Sequence, residues 1–227
     1  MNPTQLKASL RLWESRARYR KARHARAERR GDRNGVLKWG PKLEESRQMV
    51  ARRRMQIADH PGIAPPIITA AQLGLTFQWV FGQRGTPTRR TGHYTAGPRA
   101  RNAAAGVAIV RGLHRQHAGQ GWGGGSYDAV ICDDGTLILV NPPLRKSAHV
   151  AMNNTGNAAI NCPGTTGDTP TREQEATYRW YVANAHTRKV PKAHRQPVDL
   201  RKLTRYGHSD LNATACPGAF KPMFKES

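Results

Sequence analysis

Pro65 and Pro66, just after the Pro61-Gly62 pair, divide this chain before any other feature is read. A residue that precedes proline is pushed out of helical geometry, so consecutive prolines close off any helix that arrives there. Ahead of them, Thr4 to about Arg30 runs without proline or glycine, and Leu6, Leu10, Trp13 and Ala17 recur at three-to-four spacing. That period is one face of an amphipathic helix. Gly31 to Gly35 predicts a turn. A second helix is expected from about Gly40-Pro41, with proline in its first turn, to Ala58, on a stripe of Leu43, Val50 and Ile57. Residues 1–60 thus read as a helical hairpin, 61–66 as a linker and 67–227 as one domain.

Charge separates the same two parts. The chain holds 37 Lys and Arg against 15 Asp and Glu, net +22, and residues 1–60 alone hold 17 basic and 6 acidic side chains, net +11. The hairpin is therefore almost three times as charge-dense as the rest. Such a field attracts polyanions, whether nucleic acid, anionic lipid or phosphate-bearing wall polymer, and charge alone does not choose among them. No run of 18 apolar residues exists, which argues against a transmembrane helix. The segment Met1 to Lys7 lacks the apolar core of a signal peptide. Cys132, Cys162 and Cys216 are too few and odd in number for a disulfide scaffold, so Cys132 and Cys162 are expected to be buried and reduced.

Beyond the prolines, periods of two and of three to four alternate. Arg99 to about Gln116 reads as a helix carrying Val107, Val110 and Leu113, and Gly119 to Gly125 as a loop. Tyr127 to Cys132 and Thr136 to Val140 are apolar, β-branched runs around Asp133-Asp134-Gly135, a hairpin signal. Ala158 to Cys162 is a further short strand. Thr171 opens a helix reaching about His186, with Thr171 and Gln174 spaced as a capping box. Strands alternating with helices predict an α/β domain, a central mixed β-sheet flanked by helices and preceded by the basic hairpin.

The chemistry concentrates in Gly207-His208-Ser209-Asp210 and Thr214-Ala215-Cys216-Pro217-Gly218. Imidazole nitrogen and thiolate sulfur are good zinc ligands, and a catalytic zinc takes three protein ligands with the fourth position left to water. His93, in His93-Tyr94-Thr95-Ala96-Gly97, is the third candidate. Two imidazoles and one thiolate leave a zinc site with net positive charge, suited to polarising a carbonyl and activating water, so amide hydrolysis is the reaction class such a site serves. His24, His60, His186 and His194 lack a partner at ligand spacing and are expected to be solvated.

These segments, with Gly121-Trp122, the Ser126 to Ile131 strand, Asp134-Gly135-Thr136 and His149 to Ile160, occur in the order and spacing of the zinc-dependent N-acetylmuramoyl-L-alanine amidases. The chain resembles that family, which includes phage endolysins and the animal peptidoglycan recognition proteins, over about residues 66 to 224. The resemblance implies Zn2+ held by His93, His208 and Cys216, catalytic roles for Tyr127 and Thr214, and peptidoglycan contacts from His149, Trp122 and Asn154. It implies a peptidoglycan hydrolase that cleaves the amide between N-acetylmuramic acid and the L-alanine of the stem peptide.

A phage endolysin, monomeric and held in the host cytoplasm until its release to the wall, is the role that the resemblance and the missing signal suggest together. A non-lytic wall-binding module or a cytoplasmic muropeptide-recycling amidase is the alternative. The hairpin is expected to meet anionic wall polymer or lipid, and nucleic-acid binding is not expected to be the function. One departure stands out. Where the family runs an apolar strand into its first ligand, this chain has Thr86-Pro87-Thr88-Arg89-Arg90-Thr91-Gly92, so no regular buried strand is expected to lead into His93.

Overall fold

The computed structural model describes residues 3–58 and 63–225, and the chain falls into two compact units, Met1–Ile63 and Ala64–Ser227. The expected linker residues His60 to Gly62 lie outside the described residues, as does the side chain of Ile57. In the first unit α1 (Pro3–Arg29) and α2 (Arg33–Ala58) pack on one another as a hairpin. Leu6 and Ala27 of α1 and Leu43 of α2 are buried between them. The Arg20 guanidinium ties the helices by donating to the Lys42 carbonyl at 2.6 Å, Glu45 Oε2 at 2.8 Å and Ser46 Oγ at 2.9 Å. The second helix begins well ahead of Gly40. The expected turn is confined to Arg30–Asp32, with Gly31 at φ 64°; Asp32 caps the next helix, Oδ1 accepting from the Gly35 N–H at 2.9 Å, so Arg33–Gly35 are already helical and Pro41 lies inside α2.

The second unit is built on a six-stranded mixed sheet in the order β1 (Ile67–Thr69), β4 (Leu137–Leu139), β3 (Ala129–Ile131), β5 (Asn157–Asn161), β2 (Arg89–His93), β6 (Thr204–Gly207). Among the described strands only the β3/β4 pair is antiparallel, the hairpin that Asp133 to Gly135 predicts. Side chains alternate across the sheet as strand geometry requires. Val130, Cys132, Ile138 and Val140 meet α3 (Ala103–Gly119) on one face. Ala129, Ile131, Leu137 and Leu139 join α4 (Arg172–Asn184) and the short α5 (Lys221–Lys225) on the other. Thr171 and Gln174 form the expected capping box of α4. Cys132 and Cys162 belong to opposite faces, and all three cysteines are free thiols.

The polar segment before His93 departs from expectation, because it is a buried five-residue strand between β5 and β6. Each of its residues has a specific accommodation. The Arg90 guanidinium stacks over the Tyr178 ring at 5.2 Å, and Thr91 Oγ1 donates to Asn157 Oδ1 at 2.9 Å. At Gly92 the Phe224 ring lies against the backbone, and a Cβ there would sit 2.0 Å from Phe224 Cγ. A strand can therefore be buried without being apolar when its neighbours supply an aromatic face and hydrogen-bond partners to its polar side chains. The short edge strands β1 and β6 have no strong periodic signal in the sequence and appear only in the structure.

Candidate metal centre

The sheet order carries the site. β2 and β6 run parallel side by side, so His93 at the end of β2 and His208 just past the end of β6 emerge at the same edge. The chain then loops back to Cys216, whose carbonyl accepts from the Ser209 N–H at 2.7 Å. Asp210 closes the loop by accepting from the Gly207 N–H at 2.7 Å while pairing with Lys221 at 2.5 Å and Lys225 at 2.8 Å.

The outcome is a convergent triad: the ligand atoms of His93, His208 and Cys216 all lie within 4.8 Å of one another. His93 Nδ1 is 3.8 Å from Cys216 Sγ, and the His93 and His208 ring centroids are 4.7 Å apart. The sulfur also accepts from the Tyr94 N–H at 3.2 Å. Burial, with His149 and His208 adding, pushes the His93 imidazole well below its ordinary range; burial likewise lowers His208. Burial lifts the Cys216 thiol to about 11, against the Tyr94 N–H. Two imidazoles and a sulfur, each disfavoured as an ion by burial, therefore bring one ligand atom apiece to a common point. A cation satisfies such a cluster, and the N2S donor set suits zinc.

The remaining residues expected at the site divide. Tyr127 joins it, its ring centroid 5.2 Å from that of His93, and burial followed by the neighbouring Cys216 raises its phenol far above the usual range. His149 joins it too, Nδ1 lying 3.2 Å from His93 Nε2 with the two rings perpendicular. Asn154 is committed to the loop behind, its Oδ1 accepting from the backbone N–H groups of His149 and Val150 at 3.0 and 2.8 Å. Thr214 is exposed and its Oγ1 accepts from the Cys216 N–H at 3.2 Å, a turn contact. Trp122 stands edge-on to His117 at 4.9 Å, and its carbonyl accepts from Arg145; its ring contact is with His117 rather than with the triad.

His194 corrects the expectation of a solvated side chain, being buried with Nδ1 3.3 Å from the Asn141 carbonyl, and the Nδ1 of His186 is shielded from solvent. His24 pairs with Glu28 at 3.4 Å, and His60 lies outside the described residues. Sequence reasoning missed the support behind Tyr127: the fully buried Arg84 donates to Asp128 Oδ2 at 2.5 Å, to the Asn157 carbonyl at 3.1 Å and to Gln196 Oε1 at 2.7 Å. A buried arginine demands an acid, but no local spacing joins position 84 to 128.

No family profile matches the sequence, and no curated protein is detectably similar to it. Solved structures do match. The Drosophila peptidoglycan recognition protein SD superposes with a TM-score of 0.59 at 21% identity over 72% of this chain and 95% of that one. Bumblebee recognition protein SA gives 0.60 at 18% identity over 72% and 95%. The ectodomain complex of recognition proteins LCa and LCx, bound to tracheal cytotoxin, gives 0.56 at 22% identity over 71% and 95%. The second unit thus has the peptidoglycan recognition protein fold.

Proposed function

We propose that this chain is a zinc-dependent amidase that cleaves the bond between N-acetylmuramic acid and the L-alanine of the peptidoglycan stem peptide, acting as a phage endolysin. The observation that carries the reading is the His93–His208–Cys216 triad at the sheet edge of a recognition-protein fold. The substrate class is supported by the fold neighbour that binds tracheal cytotoxin, itself described in a further neighbour as monomeric diaminopimelic acid-type peptidoglycan. His93, His208 and Cys216 would hold the metal, which when bound would supply a Lewis acid for the scissile carbonyl and for water. Tyr127 keeps its phenolic proton at neutral pH and donates it, as a hydrogen bond, to the carbonyl oxygen as negative charge develops there. Thr214 steadies the turn that presents Cys216.

The basic hairpin has a separate role in this reading. Its net +11 concentrates the enzyme at anionic wall polymer or lipid without taking part in the chemistry. Around Trp39 the side chains of Arg23, Lys38 and Lys42 gather at 5.3–5.8 Å from the ring, an aromatic and basic surface suited to an anionic envelope.

A binding-only module is the competing reading, since some wall-fragment complexes share the fold; the complete donor triad favours the enzyme. Mass spectrometry of purified muropeptides incubated with the protein separates them. The enzyme releases peptides with a free L-alanine amino terminus and lactyl-ended sugars. Muropeptides retained intact by a zinc-loaded protein would establish the binding module instead.

A further inference from the structure

We infer that His149 is a positioning residue for His93: it accepts the His93 Nε2 proton and so turns the His93 Nδ1 lone pair toward the metal. The inference rests on the zinc-amidase reading and concerns how the triad is held ready.

A neutral imidazole has one nitrogen that donates and one that accepts, and which is which follows from the partners. His93 Nδ1 faces Cys216 Sγ at 3.8 Å and Nε2 faces His149 Nδ1 at 3.2 Å. With its Nδ1 turned to the triad, His93 offers a lone pair there only in the tautomer that carries the proton on Nε2, and that proton then faces His149 Nδ1 as its acceptor.

Asn157 is fully buried on β5, beside β2; its Oδ1 accepts from Thr91 Oγ1 at 2.9 Å and its Nδ2 donates to the Asn153 carbonyl at 2.9 Å. Arg84 Nη1 donates to the Asn157 carbonyl at 3.1 Å. From the other side Asn154 Oδ1 grips the backbone N–H of His149 and of Val150. Such partners fix the tautomer and ring orientation of a metal-ligating histidine, and losing one typically lowers metal affinity 10- to 100-fold. His149 falls outside the convergent triad, so it does not serve as a fourth ligand.

The test measures zinc affinity of the full chain by competition with a chromophoric chelator, comparing wild type, His149→Ala and His149→Asn. Asparagine carries an acceptor oxygen near the position of the histidine Nδ1; alanine carries none. The expected result is a 10- to 100-fold loss in His149→Ala and retention of most of the affinity in His149→Asn. Long-range proton–nitrogen NMR on zinc-loaded wild type gives an independent reading that needs no variant, with the His93 proton on Nε2.

Unchanged affinity in His149→Ala, an asparagine variant as weak as the alanine one, or a His93 proton on Nδ1 would each overturn the inference. A raised KM with unchanged zinc affinity would assign His149 to substrate instead. If wild type itself binds no zinc, the amidase reading falls along with this one. If it binds zinc and cleaves while His149→Ala binds equally well, only this inference falls.

Discussion

Replacing Gly92 by alanine tests whether the polar strand β2 is held as described. The new methyl would lie 2.0, 2.1 and 2.5 Å from Phe224 Cγ, Cδ2 and Cδ1, all well inside contact distance. Phe224 cannot swing away freely, because its ring is buried edge-on against Tyr178 at 5.4 Å and its carbonyl accepts from Tyr178 Oη at 2.9 Å. Overpacking of this kind costs about 1–3 kcal/mol, and an overlap of more than 1 Å with a confined ring belongs at the upper end, about 3 kcal/mol. Phe224→Ala alone leaves a cavity at about 3–5 kcal/mol.

In the double variant the methyl enters that cavity. The pair should therefore be no less stable than Phe224→Ala alone, which is a coupling of about 3 kcal/mol relative to additivity. Phe224→Leu should not rescue, because leucine keeps an atom at Cγ. Urea unfolding of the four proteins supplies the cycle, and the Gly92→Ala melting point should fall by roughly 6–12 °C. Additive losses in the double variant, or a Gly92→Ala protein within about 0.5 kcal/mol of wild type, would refute the packing argument.

Tyr127→Phe should keep the fold and zinc but lower turnover by about 10²–10³, the usual loss on removing one oxyanion donor; equal kcat values would return Tyr127 to a packing role. Arg84→Met, which strands the buried Asp128 carboxyl, should destabilise by about 3–5 kcal/mol in urea titrations, whereas a change under about 1 kcal/mol would mean that the ion pair is dispensable. A protein truncated to begin near Pro61 should cleave soluble muropeptides at close to the full rate yet lose activity on intact walls. The full-length advantage should shrink as added salt brings the Debye length below about 8 Å, and equal lysis by both proteins at low salt would remove the targeting role.

The sequence carried the apolar parts of this architecture well, because they repeat on the periods of helix and strand. The β3/β4 hairpin and the α4 capping box were legible from local pattern, and the convergence of His93, His208 and Cys216 from family resemblance. What stayed hidden depends on partners distant in the chain. β2 looks too polar to be buried until Tyr178, Asn157 and Phe224 are brought to Arg90, Thr91 and Gly92. Pro41 looks like a helix start, but the cap at Asp32 lies eight residues or more ahead of it, and packing carries α2 through the proline. Thr214 and Asn154 are expected at the site by motif, and the loop contacts that their side-chain oxygens accept from backbone N–H groups show only in the structure. His194 looks solvated until the fold buries it beside the Asn141 carbonyl.

Zinc content measured by elemental mass spectrometry on wild type and on His93→Ala, His208→Ala and Cys216→Ser, with muropeptide cleavage followed in the same samples, addresses the triad and its chemistry together. One zinc per chain in wild type, with both metal and cleavage lost in each variant, is the predicted result. Stoichiometric zinc retained in His208→Ala, or a zinc-loaded wild type that leaves the muramoyl–alanine bond intact, would contradict it.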